Sequence, residues 1–125
     1  MKVLLDTHIA IWWFQDPNRL DKAARQVIAD QNSTVFLSAA SVWEAAIKEA
    51  AGRLEPPRPL LESAVDEGFI ELPIRSHHAR RAAALPMHHR DPFDRMLIAQ
   101  ALEESLVILT RDAIFRSYPA ALMIA

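Results

Sequence analysis

Cysteine is absent from the 125-residue chain. That excludes disulfide scaffolds, zinc–thiolate sites and thiol nucleophiles, and nothing points to an oxidising compartment. Glycine occurs only at Gly52 and Gly68, too few and too far apart for a GxGxxG turn or a P-loop around a phosphate. No apolar run approaches the ~18 residues that a membrane span requires. At the N-terminus, Lys2 and Val3–Leu5 are followed at once by Asp6, so the apolar stretch of a secretory signal is missing. These absences lead to the expectation of a cytoplasmic protein without a membrane segment. A large excess of positive charge is missing too: the formal net charge is −2, which argues against coating nucleic acid by bulk charge.

What is present reads as one globular domain over residues 1–125, because domains commonly run to ~100–200 residues. The hydrophobic share is 51% and the charged share 24%, too apolar for a disordered chain. Charge is unevenly placed. Residues 1–74 hold seven Lys/Arg against eleven Asp/Glu, whereas residues 75–125 hold seven arginines against five acids. Arginine suits bidentate phosphate contacts, although a cluster of charge is commonly just a solvated helix face.

Short apolar runs alternate with segments of helical period. Strands are expected at Val3–Leu5, Thr34–Leu37, Phe69–Leu72, Leu106–Leu109 and Ala121–Ile124. Helices are expected over Ile9–Phe14, over residues 22–31 behind an Asp21 cap, and from Ser41 to Gly52. Further helices are expected over Leu60–Glu67, Ser76–Leu85 and from Pro92 to about Glu104, the last capped by Asp91. Residues Arg53–Pro59 read as a proline-rich linker turn, Pro86–Arg90 as a loop, and Thr110–Arg116 as a short turn or helix. The alternation implies βαβ units, hence an α/β fold with a parallel sheet covered on both faces. Strand order is not legible from the sequence.

Four carboxylates occupy related places in this pattern. Asp6 ends the first strand and Asp112 follows the Leu106–Thr110 strand. Glu44 and Asp94 each fall in the expected first turn of a helix that follows or feeds a strand. Such a helix runs antiparallel to its strand, so its N-terminus lies at the strand C-termini, where open α/β sheets bind ligands. Local readings compete: Ser41-x-x-Glu44 fits a capping box, Asp91-x-x-Asp94 has a similar spacing, and Asp6 and Asp112 could form Asx turns. Caps, however, need not converge. Two carboxylates ~4 Å apart repel by about 4 kcal/mol at an effective dielectric of about 20, which a divalent cation would offset. Oxygen donors without thiolates favour Mg²⁺ or Mn²⁺. Such a site suits phosphodiester hydrolysis, since the metal acidifies water and stabilises charge on the phosphoryl oxygens.

The segments Val3-Leu4-Leu5-Asp6-Thr7-His8 and Leu37-Ser38-Ala39-Ala40-Ser41-Val42-Trp43-Glu44 resemble the first two acidic motifs of the PIN domain. Asp91-Pro92-Phe93-Asp94-Arg95 through Ala101 resembles the third, and Val107 through Asp112 the fourth. Their order, their spacing and the chain length are similar to VapC toxins of bacterial toxin–antitoxin pairs, and the resemblance covers essentially the whole chain. It implies a three-layer α/β/α fold and Mg²⁺- or Mn²⁺-dependent endoribonuclease activity. It also implies a homodimer and inhibition by a VapB-type antitoxin. Carried over position by position, Asp6, Glu44, Asp94 and Asp112 are the catalytic and metal-binding acids, and Asp91 remains a cap. Thr7, Arg95, Thr110 and Arg111, beside those acids, are expected to orient a carboxylate or water or to contact RNA. Ser105 departs from the family, which commonly has glycine before that strand.

His8 reads as a local hydrogen-bonding residue rather than a ligand, because imidazole suits Zn²⁺ better than Mg²⁺. His77, His78, His88 and His89 lack a helical spacing that would meet the acids. Arg90 and its neighbours could hold phosphates or balance the acidic pocket. Trp12, Trp13, Phe14 and Trp43 could stack on bases, but their helical spacing favours core or interface. Ile9–Phe14 is apolar all round, which suggests a dimer or antitoxin surface. Two rivals remain. A receiver-like phosphoacceptor needs a lysine after a late strand, and the lysines are only Lys2, Lys22 and Lys48. A non-catalytic PIN-like module binding RNA or protein would not need all four acids.

Overall fold

The computed structural model describes residues 1–53 and 59–125. Five strands, β1 (Lys2–Leu5), β2 (Thr34–Ser38), β3 (Ile70–Leu72), β4 (Val107–Thr110) and β5 (Leu122–Ile124), form one parallel sheet in the order β3-β2-β1-β4-β5. Six helices accompany them: α1 (Thr7–Gln15), α2 (Lys22–Ala29), α3 (Ala39–Ala50), α4 (Leu60–Asp66), α5 (Ser76–Ala84) and α6 (Pro92–Glu104). The expected three-layer α/β/α architecture is what forms. No described helix is long and apolar enough to cross a membrane. Of the linker at 53–59, residues 54–58 lie outside the described residues.

The alternation of side chains along β1 explains the layers. Val3 and Leu5 point into a core with Ile9 and Ala10 of α1, Ala24 and Ile28 of α2, and Leu60 of α4. Leu4 and Ile108 point the other way, onto Leu97, Ile98 and Ala101 of α6 and onto Phe115. Each of these large side chains, withdrawn from water, contributes roughly 1.5–3 kcal/mol. α1 lays one side of its apolar surface on this core. Ile9, Ala10 and Ile11 are buried, and Trp12, Trp13 and Phe14 pack against the same core. The large exposed apolar side chains sit elsewhere, among them Trp43 and Ile47 on α3.

Helix starts carry the corrections that matter for the site. α1 begins at Thr7 rather than Ile9, directly behind Asp6, whose carbonyl accepts from the Ala10 amide at 3.0 Å. α3 is capped by Ser38, whose Oγ accepts from the Ala40 amide at 3.0 Å. Ser41 is not its cap, so the capping box with Glu44 does not form and Glu44 falls in the second turn. Asp21 stands at the start of α2 but makes no side-chain cap, and α2 stops at Ala29 rather than at residue 31. Beyond it, Asp30 Oδ1 accepts from the Asn32 amide at 2.9 Å, a turn that leaves the helix axis. Asp91 does cap α6, accepting from the amides of Phe93 at 2.8 Å and Asp94 at 3.2 Å, with Pro92 at the first helical position. α6 ends at Ser105 in a left-handed conformation, φ 56°.

Candidate active site

Strand order decides where a site can form. β1 has β2 on one side and β4 on the other: the chain runs outward from β1 through β2 to β3 and then crosses to β4 on the opposite side, so the strand order reverses at β1 and β4 and a crevice opens beyond their carboxyl ends. Asp6 follows β1 and Asp112 lies two residues beyond β4. α3 and α6 bring their N-terminal halves to the same edge. A cavity of about 490 Å³ there is lined by Asp6, Glu44, Asp94 and Asp112, together with Asp91, His8, His89, Ile9, Trp12 and Arg111. The four carboxylates expected to converge do so.

Hydrogen bonds hold three of them. Thr110 Oγ1 donates to Asp6 Oδ2 at 2.7 Å and accepts from the Asp112 amide at 3.1 Å, linking the acids of β1 and β4. Asp112 Oδ1 accepts from the Ile114 amide at 3.0 Å and so caps the 3₁₀ turn Ala113–Ser117. Asp94 Oδ2 lies 2.6 Å from His89 Nε2. Glu44 Oε2 is 3.3 Å from Lys48 Nζ, one helical turn on, but Glu44 Oε1 is buried with no hydrogen-bond partner. The helices are tied to the edge by buried polar contacts: Thr7 Oγ1 donates to Ser41 Oγ at 2.8 Å, and Ser38 Oγ donates to Gln100 Oε1 at 2.5 Å.

The electrostatics are those of a site short of positive charge. Burial, above all, raises the Asp6 carboxyl above its ordinary value, with the nearby Glu44 adding to the rise, against the bond from Thr110. Asp94 is pushed up to about 7, first by burial and then by Asp6 and Asp91, in opposition to His89. A donor set made mostly of carboxylates, an orphaned buried Glu44 oxygen and raised carboxyl groups together fit a hard divalent cation. The donor atoms of His89, Asp94 and Asp112 lie within 4.8 Å of one another.

His89 corrects the expectation that the histidines do not meet the acids. Its loop is held by two buried groups on either side. Arg95 donates to the carbonyls of Pro86 at 3.0 Å, His89 at 3.1 Å, Ala82 at 2.8 Å and Leu85 at 2.9 Å. Tyr118 Oη accepts from the His89 amide at 2.8 Å and donates to the Pro86 carbonyl at 2.7 Å. Arg95, expected at the substrate, is instead buried, with its guanidinium occupied by backbone carbonyls, and is not among the residues lining the cavity. Thr7 and Thr110 are buried and do not line the cavity either, and Thr110 orients Asp6 through its hydrogen bond. Arg111 does line the cavity. His8, in the first turn of α1, is 3.5 Å from Lys48 Nζ.

A second histidine cluster sits at the far end of α6. His78 Nδ1 accepts from the Arg75 amide at 3.0 Å, which leaves the proton of the neutral ring on Nε2, 2.8 Å from Glu104 Oε1. A protonated Nε2 cannot ligate a metal, so the group pins α5 to α6. Bonds from His78 and His77 hold the Glu104 carboxyl below its ordinary value.

Known proteins resemble the chain in sequence and in fold. The chain is 34% identical over 119 residues to Ribonuclease VapC22 of Mycobacterium tuberculosis, covering 93% of this chain and 91% of that protein. A DNA-bound VapBC structure from Salmonella typhimurium superposes with a TM-score of 0.75 at 19% identity, covering 99% of this chain and 98% of that one. VapBC2 from Rickettsia felis, bound to a promoter DNA fragment, gives 0.72 at 14% identity, covering 99% and 98%. The sequence model of the PIN domain matches residues 3–121, and with that match the chain belongs to the PIN domain family.

Proposed function

We propose that residues 1–125 form one PIN domain acting as a metal-dependent endoribonuclease, the toxin of a toxin–antitoxin pair. The observation that carries this reading is the single cavity into which Asp6, Glu44, Asp94 and Asp112 converge with too little positive charge around them. The likeness to Ribonuclease VapC22 supports RNA as substrate, and the likeness to VapBC complexes supports a separate antitoxin chain as its control. A homodimer in the cytoplasm is part of the same reading.

Asp6, Asp94, Asp112 and Glu44 would hold Mg²⁺ or Mn²⁺, with Glu44 Oε1 offering a free buried lone pair. A bound ion of this kind acidifies a coordinated water and offsets charge on the phosphoryl oxygens. Thr110 keeps Asp6 oriented and His89 fixes Oδ2 of Asp94, so the carboxylates need not reorganise during hydrolysis. Purified chain, free of any partner, should cut single-stranded RNA with Mg²⁺ or Mn²⁺ and stop on addition of EDTA. RNA left intact at every metal concentration would rule the reading out.

A further inference from the structure

Beside the acids, the cavity has a positively charged rim that sequence reading recognised only in part. Trp12 and Arg111 both line the cavity. The Arg111 guanidinium lies over the Trp12 ring, 5.0 Å from its centroid, and the Arg19 guanidinium lies over the same ring at 4.3 Å. Arg111 Nη2 donates to the backbone carbonyls of Arg19 and, at 2.7 Å, of Ala125, which fixes its plane. No Asp or Glu carboxylate among the described residues lies within 4.0 Å of either guanidinium, although Asp112 adjoins Arg111 in sequence.

Two like charges sharing one indole would gain most from an anion between or above them, and neither takes one from the neighbouring acids. A polyanion can approach a cavity of four carboxylates only if cations receive its flanking phosphates. A guanidinium already stacked and anchored loses little freedom when it binds, and its planar fork matches phosphate oxygens. We propose that Arg19 and Arg111, stacked on Trp12, clamp a backbone phosphate of single-stranded RNA beside the linkage presented to the acids. This rests on the ribonuclease reading of the cavity and adds the path of the strand: it leaves the acids across Trp12 toward the Pro17–Arg19 turn.

Binding of a fluorescent single-stranded oligoribonucleotide, followed by anisotropy in EDTA across a range of salt concentrations, separates the clamp from catalysis. Arg19→Gln, whose side chain faces solvent, and Arg111→Gln should each weaken binding by roughly two- to fivefold. Each should also reduce the slope of log affinity against log salt by about 0.7. Arg19→Lys should keep the slope while losing part of the affinity. Variants with the wild-type melting temperature and unchanged affinity and slope overturn the clamp, and if the wild type still cuts RNA the ribonuclease reading survives. Arginine-dependent binding by a chain that never cuts RNA with Mg²⁺ or Mn²⁺ supports the clamp and removes the ribonuclease reading.

Discussion

Thr110 Oγ1 donates to Asp6 Oδ2 at 2.7 Å across 104 residues of sequence, while the same oxygen accepts from the Asp112 amide. One buried hydroxyl thus fixes the spacing between the acids of two neighbouring strands. Thr110→Val keeps the shape and removes both bonds. Affinity for Mn²⁺, measured by calorimetry, should fall by about 10–100-fold, and Thr110→Ser should restore most of it. Unchanged affinity in Thr110→Val would show that Asp6 is held by other means.

Burial, with Asp6 and Asp91 nearby, pushes the Asp94 carboxyl up to about 7 from an ordinary 3.8. Between those two values the unfolded chain has released the proton and the native one retains it, so native stability falls as pH rises through this window. Metal-free protein should therefore melt higher at pH 5.5 than at pH 8. A saturating divalent cation should reverse the trend, because metal and proton compete for the same carboxylate. Equal melting temperatures at both pH values without metal would contradict the raised carboxyl groups.

Arg95 holds four backbone carbonyls from one buried guanidinium. Arg95→Gln should cost about 3 kcal/mol or more in denaturant unfolding, since several buried carbonyls lose their donor together. Arg95→Lys should recover little, because an ammonium cannot reproduce the planar fork. A loss below about 1 kcal/mol in either variant would mean that the loop carrying His89 is held mainly by Tyr118.

Ser105 ends α6 with φ 56°, a conformation in which a side chain is strained and glycine is not. Ser105→Gly should raise unfolding stability by up to about 1 kcal/mol. A destabilised Ser105→Gly would show that the serine side chain contributes more than its backbone strain costs.

The sequence carried the layers and the placement of the acids, because both follow from local pattern: short apolar strands, each followed by a polar break at one edge. It did not carry the strand order, which depends on how βαβ units pack rather than on any one segment. The pattern points to Ser41 as the helix start, and only the burial of Ser38 against Gln100 sets the cap three residues earlier. Arg95 looks like a site residue because it adjoins Asp94. Adjacent helical positions point about 100° apart, however, so a residue beside Asp94 faces the loop instead of the cavity. His89 lies in an irregular loop with no period to read, and only the Arg95 and Tyr118 anchors bring it to Asp94. Arg19 gives no signal until the fold sets it over Trp12.

The central claim is that four carboxylates at one sheet edge make a single hydrolytic site. Single-turnover cleavage of RNA in Mn²⁺ at pH 8, comparing wild type with Asp94→Asn of matched melting temperature, tests it most directly. The account predicts a fall of at least about 100-fold in rate, equivalent to roughly 2.7 kcal/mol of lost transition-state stabilisation. A rate within twofold of wild type would contradict it.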